Sequence, residues 1–167
     1  GQFIVLMGHN GAGKSTLLHH VCGLLAAQRG EVRIDNQPLR GLNPEVGMVL
    51  QNSDLMLFNS TVRAEVTFCL RQAGKDEQRP DWKLLLERIG LAGMEDRFPL
   101  ALSQGQRVRV AIASLLACEP ALLLLDEPTT GQDLGHIDDI MLLLQEYVAD
   151  GGSVILCTHD TETAVRY

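Results

Sequence analysis

The stretch FIVLM-GHNGAGKST-LL, running from Phe3 to Leu18, decides the reading of this chain. An apolar run of strand length feeds a glycine-rich turn, and the turn feeds a helix. Gly8, Gly13, Lys14 and Ser15 occupy every fixed position of the pattern G-x-x-x-x-G-K-[ST], in the strand and helix context that the pattern requires. The residue types follow from the chemistry. Glycines let the backbone curl so that successive N–H groups converge on phosphate oxygens, and the following helix points its positive end at the same anion. The candidate phosphate contacts are therefore Gly8, His9, Asn10, Gly11, Ala12, Gly13, Lys14, Ser15 and Thr16. Lys14 is placed to neutralise β and γ phosphates, and Ser15 to bind Mg²⁺.

Bulk properties bound what surrounds that loop. A chain of 167 residues fits one domain with a real core. Its 46% hydrophobic and 21% charged residues are ordinary for a globular protein, and the net charge of −7 opposes a nucleic-acid surface covering the whole domain. No nucleic-acid partner is expected. No apolar stretch reaches the roughly 18 to 20 residues of a membrane helix, and no basic start with an apolar signal core opens the chain. Cys22, Cys69, Cys118 and Cys157 are scattered without a C-x-x-C pair, so neither a zinc site nor a disulfide framework is suggested, and a cytosolic compartment fits. The chain starts just before a strand and stops at Tyr167 inside what reads as a helix, as an excised domain would.

Along the chain, Ser15 to Ala27 carries Leu17, Leu18, Val21, Leu24 and Leu25 at helical spacing, with Gly30 after the expected helix end. Glu31 to Asp35 alternates like a half-buried strand, and Asn36-Gln37-Pro38 reads as its turn. Val46 to Leu50 reads as a buried strand ending on Gln51. The texture then turns helical from about Thr61 to Cys118, with periodic runs at Val62 to Gln72 and Trp82 to Ile89 around a charged connection, Gly74 to Asp81. Ser103 is a plausible N-cap for a helix carrying Val108, Val110, Ala111, Ile112, Leu115 and Leu116. Ala121 to Leu125 is apolar on both faces and bounded by prolines, which marks a central parallel strand. A helix from Leu134 to Ala149 and a strand from Ser153 to Cys157 follow. The pattern predicts an α/β fold with a mainly parallel central sheet flanked by helices, plus a helical subdomain over about 61–118.

Two further constellations matter. Asp126 and Glu127 stand at the carboxyl end of the leucine strand, where an open parallel sheet places its ligand crevice. Asp126 suits a Mg²⁺ shell, and Glu127 suits the orientation or deprotonation of an attacking water. The segment LSQGQ, Leu102 to Gln106, reads either as a simple cap or as a second anion site at a helix N-terminus.

Taken together, these residues resemble the ATP-binding cassette (ABC) ATPases over nearly the whole chain. Walker A is GHNGAGKST, the Q-loop glutamine is Gln51, the signature is LSQGQ, Walker B is LLLLDEPT, the D-loop is Gly131-Gln132-Asp133 and the switch histidine is His159. The resemblance implies a P-loop NTPase that hydrolyses ATP with Mg²⁺, held by Ser15 and Gln51 with Asp126 behind them. It implies Glu127, His159 and Lys14 as the catalytic set. It also implies that Ser103, Gly105 and Gln106 reach the ATP of a second ABC ATPase subunit, in a homo- or heterodimer. Within the family, Val46 to Leu70 looks most like the ATPase subunits of energy-coupling factor importers of vitamins or of transition-metal ions such as cobalt or nickel. That resemblance implies integral membrane subunits as partners and a cytoplasmic place on the inner face of the membrane. Leu55, Met56, Leu57 and Phe58 would then either line the groove for a membrane subunit or pack in the helical core.

This chain departs from the family at Gln104, where a glycine is usual, and at the D-loop, where serine is commoner. Both departures suit a heterodimer with one weaker site. The aromatic residue that stacks on adenine in the family lies upstream of the glycine loop, outside this chain. Two other functions share the motifs: a soluble ABC ATPase acting on ribosomes or DNA, and a nucleotide-binding module without turnover.

Overall fold

A computed structural model describes residues 1–34, 36–72, 81–129 and 132–166, without the side chains of residues 81, 162 and 163. Most of the charged connection expected before Asp81 and Gly131 of the D-loop fall outside the described residues.

Four parallel strands form the central sheet in the order β1 (Phe3–Met7), β6 (Ser153–Thr158), β5 (Leu122–Asp126), β4 (Val46–Val49). The alternation of side chains along a strand divides the leucine run between two cores. Leu123 and Leu125 face one side with Val49, Val154 and Leu156, while Leu124 faces the other with Cys157 and Leu18. All three leucines are fully buried, and each contributes roughly 1.5–3 kcal/mol by leaving water. Leu124→Ala would cost about 2–5 kcal/mol, because the close-packed core collapses only partly around the void.

The first face is covered by α2 (Val62–Gln72), α3 (Asp81–Arg88), α4 (Gln104–Leu116) and α5 (Leu134–Ala149), which share one apolar cluster with the sheet. Trp82 is buried in it. The second face is covered by α1 (Lys14–Val21), and the short α6 (Thr161–Arg166) follows β6.

Three expectations change. The first helix ends at Val21 rather than Ala27, because Gly23 turns the chain at φ 82 and a β-carbon there would collide with the Gly41 carbonyl. Leu24 and Leu25 consequently stand exposed instead of on a buried helix face. Gln37-Pro38, read as a turn, is a strand: β2 (Arg33–Ile34) and β3 (Gln37–Pro38) form a separate antiparallel hairpin, with Asn36 at φ 62 supplying the reversal. The apolar group after Gln51 splits. Leu57 is buried and Met56 packs against the core, whereas Leu55 and Phe58 are 74% and 65% exposed.

Candidate functional site

The loop between β1 and α1 takes its shape from two glycines. Gly11 and Gly13 have φ of 82 and 92, a region open to glycine, and a β-carbon on either would project into empty space. Gly13 is the N-cap of α1, and no side chain bonds the first amides of that helix. Those N–H groups stay available to a ligand, with the helix dipole behind them. Asn10, Gly11, Gly13, Lys14, Ser15 and Thr16 line a cavity of about 300 Å³, and Gln51 and Glu127 complete it from the ends of β4 and β5. Sequence-distant residues thus converge as the motifs predict. His9 stays at the exposed rim, its Nδ1 2.9 Å from the Asn10 carbonyl oxygen.

Lys14 is buried, at 9% exposure, and its charge is fully engaged. Its Nζ donates to the Gly8 carbonyl at 2.8 Å and to the His9 carbonyl at 3.4 Å, and lies 3.4 Å from Glu127 Oε1. The second oxygen of Glu127, Oε2, lies 2.6 Å from His159 Nδ1 and 3.4 Å from the His159 amide nitrogen. One carboxylate therefore bridges the loop lysine and the histidine that follows β6. Glu127 holds φ 54, a conformation costing a non-glycine residue on the order of 1 kcal/mol or more. Its own N–H donates to the Cys157 carbonyl at 2.9 Å, which fixes the turn against β6.

Asp126 pairs in register with Cys157 in the middle of the sheet and is 3% exposed. Its Oδ1 is buried without a hydrogen-bond partner among the described residues. An unsatisfied buried carboxylate oxygen costs more than the roughly 1–3 kcal/mol of a neutral group, so a cation nearby would be the natural completion. A hydroxyl from Ser15, an amide oxygen from Gln51 and the Asp126 carboxylate make a hard oxygen donor set that fits Mg²⁺. The Cys157 thiol beside them is pushed up to about 11, chiefly by burial and next by the Asp126 charge.

The signature segment lies away from this cavity. Ser103 caps α4 in a reciprocal box: the Gln106 amide donates to Ser103 Oγ at 3.3 Å, and the Ser103 amide donates to Gln106 Oε1 at 3.0 Å. Ser103 and Gln104 are exposed while Gly105 is buried.

Gln132, named in the sequence only as a member of the D-loop, has contacts here that the motif did not predict. Gln132 donates from Nε2 to the Gly105 carbonyl at 2.9 Å and accepts from Arg109 Nη1 at 3.0 Å. Arg109 is 3% exposed, and burial lowers its pKa, while Asp133 and Asp139 oppose the shift. One amide thus ties the D-loop to the signature helix. The available signal was Arg109 itself, a charge set between Val108 and Val110 in α4. Glu65 was also missed. It is buried, and its carboxylate accepts from the Phe58 and Asn59 amides at 2.9 and 2.8 Å and from Asn59 Nδ2 at 3.1 Å, organising the loop after Gln51. Arg107 ties the same region to α4 through Asp54 at 2.8 Å.

Comparison with known proteins agrees with this arrangement. A family model described as ABC transporter matches residues 1–130. A Methanosarcina acetivorans relative is 43% identical over 100% of the chain, which spans 28% of that relative's length. The energy-coupling factor transporter ATP-binding protein EcfA of Methanothermobacter thermautotrophicus is 40% identical over 100% of the chain, which spans 57% of it. The structure of cbiO1 from Clostridium perfringens, part of the ABC transporter complex cbiONQ, matches 95% of the chain with a TM-score of 0.80 at 34% identity, and 67% of that protein is covered. With the loop, the carboxylate pair and the signature helix all in the positions that the motif order demands, the chain belongs to the ABC transporter family.

Proposed function

We propose that these 167 residues are a single nucleotide-binding domain that binds and hydrolyses ATP to drive a membrane importer of the energy-coupling factor type, taking up a vitamin or a transition-metal ion. The observation that carries the ATPase reading is the Glu127 carboxylate, set on the wall of the phosphate cavity between Lys14 and His159. Lys14 is satisfied by two carbonyls and Glu127. A triphosphate offers the lysine stronger anionic partners, and its departure releases one oxygen of Glu127 to face water. Glu127 then accepts the proton of the attacking water, and His159, already hydrogen-bonded to it, holds the carboxylate in place and contacts the γ-phosphate. Ser15, Gln51 and Asp126 would hold Mg²⁺, which would supply charge neutralisation for the phosphates.

The signature supports a head-to-tail partner cassette. Ser103 and Gln104 are exposed and lie outside the cavity of their own chain, which suits contact with a nucleotide held by another subunit. Leu55 and Phe58, held out by the Glu65 clamp, suit a contact with an integral membrane subunit, and among the described residues no helix is long and apolar enough to cross a membrane. The cassette would therefore sit on the cytoplasmic face of the membrane through its partners. Purification of the full-length protein from detergent-solubilised membranes tests this. Recovery of integral subunits together with Mg²⁺-dependent ATPase activity is the expected outcome, and recovery with ribosomes would replace the importer reading.

A further inference from the structure

The exposed and buried parts of the signature segment meet at one carbonyl. Ser103 and Gln104 face solvent at the start of α4, and Gly105, next in the chain, is buried. The capping box settles the Ser103 and Gln106 amides within the segment and ties it to nothing outside. The tie at Gly105 is Gln132. Its Nε2 donates to the Gly105 carbonyl at 2.9 Å, its Oε1 accepts from Arg109 Nη1 at 3.0 Å, and its own backbone amide donates to the Thr129 carbonyl at 3.2 Å. Only a side-chain amide offers a donor and an acceptor together in this way without charge or a rotating hydroxyl. Gly105 and the buried Arg109 lie one turn apart on α4, so Gln132 grips that helix at two points. Thr129 stands two residues beyond Glu127, so the three bonds run from the turn after β5 to the first turn of α4. Neither Gly105, Arg109 nor Gln132 lines the phosphate cavity of its own chain.

We propose that Gln132 is a positioning residue for the signature segment: its amide, bonded to Gly105 and Arg109, sets the stance in which Ser103 and Gln104 meet the nucleotide of a partner cassette. The proposal rests on the head-to-tail partner reading. A contact made equally to the ground state and the transition state of the partner's nucleotide lowers KM and leaves kcat alone. Loss of Gln132 therefore raises the ATP concentration needed to assemble the composite site. The rate at saturation survives, because Lys14, Glu127 and His159 keep their own contacts. Two substitutions separate this role from simple stabilisation. Gln132→Leu removes both bonds. Gln132→Glu keeps an acceptor for Arg109 and has no donor for Gly105, so it returns stability without returning the grip on the signature.

The test follows phosphate release against ATP concentration in the full-length protein with its partner subunits, for wild type, Gln132→Leu, Gln132→Glu and Ser103→Glu, beside chemical denaturation of each. Both Gln132 variants should raise the half-maximal ATP concentration about three- to tenfold, the range for one or two lost hydrogen bonds. Their kcat should stay within about twofold of wild type. The rise in Gln132→Glu should persist at high salt, which screens its added charge. A wild-type half-maximal concentration in either folded variant overturns the proposal. So does a rise in Gln132→Leu that Gln132→Glu abolishes as it recovers stability, because function then follows the fold alone. Ser103→Glu sets a carboxylate against the partner's phosphates, and hydrolysis should collapse. Undiminished hydrolysis in Ser103→Glu removes the partner reading and the proposal with it, whereas collapse there beside wild-type behaviour of the Gln132 variants removes the proposal alone. If Gln132→Leu does not fold, Gln132→Glu, which keeps the Arg109 acceptor, decides the outcome.

Discussion

Glu127 Oε2 lies 2.6 Å from His159 Nδ1 while Oε1 of the same carboxylate lies 3.4 Å from Lys14 Nζ. A single acid at the end of β5 is thereby shared between the glycine loop after β1 and the residue that follows β6. Glu127→Gln keeps the size and loses the basicity. We expect the full-length variant to bind ATP with near wild-type affinity while phosphate release falls about 10²- to 10⁴-fold, the usual worth of a positioned general base. Single-turnover phosphate release beside equilibrium nucleotide binding makes the comparison, and unchanged turnover would remove Glu127 from its role.

Lys14→Ala acts on the other side of that contact. It deletes the cation that the Gly8 and His9 carbonyls and Glu127 surround, leaving the cavity with one acid and no lysine. Affinity for ATP should drop by about tenfold or more, each factor of ten being about 1.4 kcal/mol. Titration of a fluorescent ATP analogue measures it, and wild-type affinity would overturn the phosphate assignment.

Gln132→Leu probes the contact between the D-loop and the signature helix. The substitution removes both hydrogen bonds and leaves Arg109, whose Nε is already buried without a partner among the described residues, less satisfied still. Loss of a partner by a buried charged group costs more than about 1–3 kcal/mol, so chemical denaturation should show at least that loss. Gln132→Glu should recover part of it, since a carboxylate still accepts from Arg109 although it cannot donate to Gly105.

Cys69 and Cys157 make opposite predictions for alkylation. The Cys69 thiol is held down to about 7, so its rate with iodoacetamide should rise with pH and reach half its maximum near pH 7. The Cys157 thiol is pushed up to about 11, so it should stay unreactive throughout the neutral range in the folded protein. Rates by mass spectrometry from pH 6 to 9, a range of about three units around ordinary thiol values, separate the two. A Cys69 midpoint near that of a free thiol would contradict this lowering, whose chief cause is hydrogen bonding with Cys118.

What sequence could and could not yield follows from the range of each interaction. The phosphate loop was legible because Gly8, Gly13, Lys14 and Ser15 act within one turn of chain, and the leucine strand because apolarity on both faces leaves few places to put it. The Ser103 cap was legible for the same local reason. Gln132 was placed in the D-loop but its contacts were not legible, since they reach Arg109 and Gly105 across separations of 23 and 27 residues. Leu24 and Leu25 kept helical spacing beyond a helix that Gly23 had already ended, so periodicity alone overran the boundary. The four apolar residues from Leu55 to Phe58 could not be divided between groove and core, because a 3-10 turn at Ser53–Met56 sends neighbours to opposite sides.

Glu65 gives a test of how that division is maintained. Its buried carboxylate receives three hydrogen bonds from Phe58 and Asn59, enough to hold the loop in the conformation that leaves Leu55 and Phe58 outside and Leu57 inside. Glu65→Ala leaves the two amides without their acceptor and opens a void under the loop. Global stability should fall by about 2–4 kcal/mol, within the range for breaking a buried network. Hydrogen exchange should register the change first at the Phe58 and Asn59 amides, which lose protection while the β5 amides keep theirs. Glu65→Gln should behave in between, because the amide oxygen accepts from the backbone but its nitrogen faces the Asn59 donor. If the Phe58 and Asn59 amides exchange at the wild-type rate in Glu65→Ala, the carboxylate does not organise this loop and the exposure of Phe58 needs another cause.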